Sequence, residues 1–502
     1  MKEFIIALCF FGVVVKASAF NEKLPIKYGK VTRAEFEVNN FQGDTAVSAI
    51  VLCDYGEISI TNRTFYKRHI RIKINSVEGL KYAKFEIPYQ YKEKYDDIIA
   101  FSGNVFELKN NEIFKYQYGN RNVRDIEVDR KNRNEILELP DVKPGMIVEF
   151  YYEIASLDFI KLDDWYFQKE IPVLWSEIRF DIPYPFVYLV TFQNGQQLSN
   201  DEQLKYAEKL QWLYNANRFK RKDEFVKSNN VLYESPSGKY RVYIINNMKK
   251  KIIMKNLPGV SSVSQFLSVK DYYPKLRFDL FESSGRLPWL YKPLLLTTVD
   301  DYEGKSRRQL MRTTEINGYV HYRLNTWMDF NEKLLKSNRF GMQLIKHFDY
   351  KTVTDSLITS EMNDNEKMKV IFIYIQKHFH WNGIYSMYVD NGLQIPFDKQ
   401  TGTSGDINML LIYLLRRTGL HADPVLIRTN DLGMPETVFP VHGQFNHVIA
   451  MVNINSETYL LDATSQEISI SQLPLPDLFT TGWRVNNKDF GWIDIGSQTK
   501  RE

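Results

Sequence analysis

The sequence predicts a multidomain protein in which a large antiparallel β-sandwich is followed by an α+β domain. The chain has 502 residues, more than one ordinary core accommodates. From about residue 28 to 282, short runs rich in Val, Ile, Tyr and Phe follow one another between turn signals. Many alternate polar with apolar residues, as a strand buried on one face must. Beyond residue 283 the apolar spacing changes to three and four residues, then returns to strand-like runs.

The chain opens with "MKEFIIALCFFGVVVKASAF": an early lysine, an apolar run from Phe4 to Val15, and a small-residue "ASA" ending at Ala19. This reads as a secretory signal peptide over residues 1–19, because the run is well short of the roughly 20 residues a membrane span needs. Bulky Leu8 argues against lipid attachment at Cys9. Cleavage leaves Cys53 alone, which excludes an internal disulfide, a cysteine zinc site and an iron–sulfur cluster. Cys53 lies in "AVSAIVLCDYG" and reads as a small buried strand residue. The expectation is an exported protein, periplasmic or associated with the cell envelope, soluble after cleavage and held together by packing.

The predicted β-sandwich spans residues 20–282, with strands such as "AEFEV", "RHIRIKI", "AKFEI", "EILELP", "MIVEFYYEI", "EIRFDI", "VYLVTF", "YRVYII" and "LRFDLFE". Pro144-Gly145 suits a type II turn ahead of one of them. "DEQLKYAEKLQWLY" (201–214) reads as an inserted helix. Hydrophobic content of 44% and charged content of 25% are those of a globular chain. With 65 basic and 61 acidic residues the net charge is only +4, which points away from a dedicated nucleic-acid binder. The basic runs "RFKRK" (218–222) and "KKKIIMK" (249–255) read as solvated hairpin edges.

The second domain spans 283–465, with a C-terminal extension over 466–502. "FNEKLLKSNRFGMQLIKHF" and "NDNEKMKVIFIYIQKHFHW" are helical, the second behind an Asn/Asp cap. The loop "FDKQTGTSGD" then feeds the helix "INMLLIYLLRRTG", expected over 406–418. "PVLIRT", "HVIAMV" and "TYLLDAT" follow as strands. With residues 453–456 ("NINS") as the turn, the last two strands pair so that His447 lies directly opposite Asp462. A carboxylate there fixes the tautomer and orientation of the imidazole, the acid's role in a catalytic triad. The other face carries Val448, Ala450 and Val452 against Tyr459, Leu461 and Ala463, a core pattern. No phosphate-binding loop, dinucleotide fingerprint or His-Glu-x-x-His motif occurs, and His378 and His380 read as a helix end. No cofactor or metal is therefore expected.

The order of small loop, residue 404, helix ending "RRTGL-ADPV", His-initiated strand and "LLDAT" resembles the transglutaminase-like branch of the papain fold. The core of that family reads roughly Gly-x-Cys-x-Asp-x-Ala, a helix, His-Ala-Trp and Asp-Pro-Thr. Counting back from Gly419, the family cysteine falls on Ser404, its neighbouring Asp on Asp406 and its small helical residue on Asn408. The histidine falls on His447 and the acid on Asp462, while Trp381 is a candidate cleft residue. The N-terminal part resembles the β-rich domain of unknown function that precedes such cores in exported bacterial proteins; "RHIRIKI", "WYFQKEIPVLWSEIRFDIP" and "WNGIYSMYVDNG" carry the likeness. The resemblance implies a papain-like α+β domain with Ser404, His447 and Asp462 at its centre.

Serine in place of the family cysteine opens two readings. In the first, the site is catalytically degenerate, Ser404 serves as helix-cap chemistry, and the domain binds or scaffolds an extended polypeptide or a glycan. In the second, the protein is a peptidase-like hydrolase or acyl transferase in which Ser404 attacks, His447 takes its proton and Asp462 orients His447.

Overall fold

The computed structural model describes residues 23–496 apart from 93–94, 129–131, 160, 194–230, 235–239, 261–272, 286–295, 301–305, 311–319, 324–325, 348–350, 390, 442, 471 and 479. The stretches "DEQLKYAEKLQWLY" and "RFKRK" lie outside the described residues.

The protein is β-rich and built from several sheets with few helices. Among the described residues the largest sheet has eleven strands: β1 (Ala49–Ile60), β2 (Thr64–Ile74), β3 (Asp96–Lys109), β4 (Glu112–Tyr118), β5 (Ile147–Ser156), β6 (Lys161–Tyr166), β7 (Val173–Gln193), β8 (Val231–Glu234), β9 (Tyr240–Leu257), β10 (Lys275–Gly285) and β11 (Val320–Arg323). Their order is β8-β9-β7-β1-β2-β5-β3-β4, with β10 pairing with β7, β6 and β11. The expectation of an antiparallel sheet is corrected at its centre, where β1 and β7 run parallel. Lys84–Gln90, Asn132–Glu138 and Val123–Glu127 form a separate three-stranded sheet, and residues of its first two strands, Ile87 and Leu137, help to build the buried core of the large one. Cys53 is 2% exposed in β1, and burial pushes its thiol well above the usual range, as a packing role requires. The Pro144-Gly145 turn forms as expected: Gly145 takes φ +94°, the Met146 N–H bonds the Lys143 carbonyl at 3.1 Å, and β5 begins one residue later.

"AEFEV" is not a strand. Residues Arg33–Phe36 form one helical turn, because Thr32 and Glu35 make a capping box and Glu35 is held by the buried guanidinium of Arg71 at 2.6 Å. Arg71 also bonds the carbonyls of Lys27 and Lys30, so this segment is strapped across the large sheet.

The second group of elements positions the candidate site. Helices α1 (Trp327–Lys336), α2 (Asp364–His378) and α3 (Ser404–Arg417) accompany a five-stranded sheet of β12 (His421–Ile427), β13 (His447–Ile454), β14 (Glu457–Leu461), β15 (Thr481–Arg484) and β16 (Gly491–Asp494). The strand order is β14-β13-β12-β15-β16, so the C-terminal extension supplies two of the strands. Helix α3 is buried along most of its length and packs on α2 and on β12 and β13. The two groups meet through an ion pair between Arg277 of β10 and Glu436. No helix among the described residues is long and apolar enough to cross a membrane.

Candidate functional site

Three segments converge at the N-terminus of α3. A short parallel pairing of His380–Trp381 with Thr401–Gly402 anchors the loop 382–386 beside the start of the helix. The Ser404 N–H then bonds the Ile384 carbonyl at 3.0 Å. Gly405 permits this approach, since a Cβ there would lie 2.5 Å from the Tyr388 carbonyl oxygen and 2.8 Å from that of Ser386. The helix cap is Thr403, not Ser404. The Thr403 hydroxyl accepts the Asp406 N–H at 3.2 Å, and the Asp406 carboxylate accepts from the Thr403 N–H and hydroxyl at 3.0 Å each. Thr403 takes the cap because it has the extended backbone a cap needs and an acidic residue three positions on; Ser404 is the first helical residue. Asp406 is thereby committed to capping.

The hairpin register differs from the expected one. Asn455 and Ser456 both have positive φ, at 49° and 68°, and form a two-residue turn, so Val452 pairs with Tyr459 and Ala450 with Leu461. His447 and Asp462 are consequently offset along the strands rather than directly opposed. They still meet, because the shift between registers is two residues and the side-chain period of a strand is also two. The His447 Nε2 lies 3.3 Å from Asp462 Oδ2, and its Nδ1 lies 2.8 Å from Ser404 Oγ. The opposite face of the hairpin is the expected core: Val448, Ala450, Val452, Leu461 and Ala463 are buried with α3, and Tyr459 packs against them.

Asp462 is held by more than His447. Its Oδ1 accepts from Asn408 Nδ2 at 2.7 Å and the Thr464 N–H at 2.9 Å, and its Oδ2 accepts the Thr464 hydroxyl at 2.8 Å. Asn408 also donates to the Val448 carbonyl at 2.9 Å and accepts the Ala463 N–H at 2.9 Å. One buried amide thus ties α3 to β13 and to the segment after β14.

Asp477, in the turn Leu475–Asp477, is the site residue that sequence reasoning missed. Its Oδ1 lies 3.6 Å from His447 Nε2, and Ser404, His447, Asp462 and Asp477 are each 0% exposed. A lone Asp in "LPLPDLF" has the pattern of a solvated turn, and nothing local marks it as buried. Tyr385 and Ser386 were also missed; both lie in "WNGIYSMYVDNG", which forms the loop at this site. The Tyr385 ring stands edge-on to His447 at 5.1 Å, and Trp381 packs on Tyr385 at 4.8 Å. Trp381 is part of the core margin, and its indole N–H is spent on the Ile384 carbonyl at 2.9 Å. His378 ends α2, with Nδ1 bonded to the Tyr374 carbonyl, and His380 approaches Gln466.

The electrostatics follow from one histidine facing two buried acids. Burial favours neutral His447, but the charges of Asp477 and Asp462 outweigh it and raise its pKa to about 10. Burial raises the Asp462 carboxyl, yet the His447 charge and the bonds from His447, Asn408 and Thr464 hold it well below the usual range. Asp477 lacks such donors; burial, with the neighbouring Asp462 charge, pushes it up to about 7 against the pull of His447. The two acids thus favour the imidazolium form of His447, in which both ring nitrogens carry protons and Nδ1–H donates to Ser404 Oγ. That oxygen also accepts the Ser386 N–H at 2.9 Å, and its own proton goes to the Ser386 carbonyl at 3.2 Å. Among the described residues, His447, Asp462 and Asp477 are also the group able to hold a metal ion, with donor atoms within 4.8 Å of one another.

Residues 62–216 match the DUF3857 family. Its description is a domain of unknown function with a solved structure. Among solved structures, the chain is similar to a protein of Parabacteroides distasonis named a putative protease, with 12% identity and a TM-score of 0.51 over 89% of this chain and 72% of that one. That likeness is one of fold. Yeast LTA4 hydrolase (8% identity, TM-score 0.17, 47% of this chain and 30% of that one) and a Legionella pneumophila putative nutrient binding protein (9%, 0.19, 51% and 77%) match only loosely and carry no argument. No curated protein matches the sequence.

Proposed function

We propose that this chain is an exported transglutaminase-like protein, a β-sandwich joined to a papain-like α+β domain. In this reading the site has lost its thiol, and the domain binds or scaffolds an extended polypeptide or a glycan without cleaving it. The observation that carries the reading is the state of Ser404: it is fully buried, and its hydroxyl already accepts the Ser386 N–H and donates to the Ser386 carbonyl while it meets His447 Nδ1 at 2.8 Å. A serine nucleophile needs a neighbouring base with a free lone pair, whereas the two acids beside His447 favour the form in which the Nδ1 facing Ser404 is a proton donor. The same electrostatics suit a thiolate, which a facing imidazolium and a helix N-terminus both stabilise. The surroundings thus fit cysteine chemistry better than the residue present, as expected of a site that has lost its nucleophile.

Purified mature protein is expected to turn over no amide or ester substrate, and a serine-directed phosphonate is expected to leave Ser404 unlabelled. Turnover abolished by Ser404→Ala, or labelling that depends on His447, would establish the hydrolase reading instead. A Ser404→Cys variant is expected to carry a thiolate at neutral pH, seen by its ultraviolet absorbance, whereas buried Cys53 stays protonated.

A further inference from the structure

We propose that His447, Asp462 and Asp477 supply three ligands of a tetrahedral site for a divalent first-row cation, with Zn²⁺ the best-fitting ion and water as the fourth ligand. This goes beyond the binding-module reading and does not depend on what the domain binds. The spacing is the first argument. From His447 Nε2 the distances are 3.3 Å to Asp462 Oδ2 and 3.6 Å to Asp477 Oδ1. Ligands about 2.0–2.1 Å from a tetrahedral zinc stand roughly 3.3–3.4 Å apart, whereas a charge-assisted N–H to carboxylate bond closes to about 2.7–2.9 Å. Both acids stand off from Nε2 at distances nearer those between ligands of one ion than that of a shared proton, and the three donor atoms lie within 4.8 Å of one another.

Asp477 supplies the second, independent argument. Both of its carboxylate oxygens are buried and neither has a hydrogen-bond partner. A buried carboxylate whose facing charge, His447 Nε2, stands 3.6 Å away is poorly compensated, and a cation between the two satisfies it. Charge adds to the case, since a doubly charged ion balances two carboxylates around a neutral imidazole.

Ser404 then acquires a role as a positioning residue. By accepting the Nδ1–H at 2.8 Å it fixes the tautomer that leaves the Nε2 lone pair facing the two acids. Asn408 and Thr464 orient Asp462 in the same way. The donor set of one imidazole and two carboxylates suits Zn²⁺ and excludes soft ions that need sulfur. Since all three side chains are fully buried, the ion loads as the chain folds.

The test is to unfold the full mature chain in chelator, remove the chelator, refold with equimolar Zn²⁺ and measure bound metal after desalting. One zinc per chain is expected, with an intense tetrahedral visible spectrum when Co²⁺ replaces it. Asp477→Asn is expected to lose at least about tenfold in affinity, and Ser404→Ala about tenfold, the range for a residue that orients a ligating histidine. Folded wild-type protein without stoichiometric zinc, an octahedral Co²⁺ spectrum, or an Asp477→Asn variant that binds as wild type would each overturn the site. If Asp477→Asn does not fold, the Co²⁺ spectrum and Ser404→Ala still decide. These readouts are independent of turnover, so failure here leaves the binding-module reading standing, and catalysis by Ser404 would overturn that reading alone.

Discussion

Asn408→Ala is expected to destabilise the protein by about 3–5 kcal/mol, because it breaks three fully buried hydrogen bonds and leaves their partners without a replacement. The amide donates to Asp462 Oδ1 and the Val448 carbonyl and accepts from the Ala463 N–H. Water cannot substitute easily, since Asn408, Val448 and Asp462 are each 0% exposed. A buried group left unpaired costs roughly 1–3 kcal/mol, and Asp462 keeps its two bonds from Thr464, so the sum stays below the maximum. Urea unfolding with an unchanged m-value is the appropriate measurement. A loss under about 1 kcal/mol would mean that apolar packing alone holds α3 to the hairpin.

How far this arrangement was legible in the sequence varies with the range of the interaction. Ser404, His447 and Asp462 do meet in the fold; strand alternation points to the His–Asp pair, and the loop-to-helix pattern with its family resemblance to Ser404. A helix N-terminus, a strand start and a strand end recur in fixed order, and a two-residue register error preserves which face each side chain occupies. The error itself arose because Asn455-Ser456 lacks the glycine that normally announces a two-residue turn, although both residues adopt positive φ. The cap was misassigned for a similar local reason, with Thr403 and Ser404 chemically equivalent until backbone geometry chooses between them. Asp477 was out of reach altogether. Its importance comes from 30 residues of separation from His447 being closed by the fold, and a polar residue just after two prolines looks the same whether it is solvated or buried. The parallel pairing of β1 with β7 was hidden in the same way, since a strand's own pattern does not name its neighbour.

In chelator, where no metal competes for the site, stability is expected to depend on pH through Asp477 and His447, and Asp477→Asn isolates the effect. Asp477 titrates near 3.8 when unfolded and is pushed up to about 7 when folded. Between those values the folded state holds a proton that the unfolded state has released, so stability falls as pH rises, by about 1.4 kcal/mol per pH unit. His447 behaves with the same sign in a higher window: its folded value is raised from 6.5 to about 10, so its contribution is complete below 6.5 and lost as pH rises through 10. Asp462 has the opposite sign; its folded value is depressed, and its contribution is present above 3.8 and lost in acid. Tyr385, the other titratable ring against His447, is raised by burial and by Asp477, Asp462 and Asp431, so it stays neutral throughout. The Asp477→Asn variant lacks the first window altogether, and its His447 loses the larger of the two charges that raise it. The stability difference between variant and wild type is therefore expected to tilt toward the variant from about pH 4 upward, measured as chemical denaturation midpoints across the range. Parallel curves for the two proteins would show that Asp477 is ionised alike in the folded and unfolded states, and that the two acids do not share the histidine as the geometry describes.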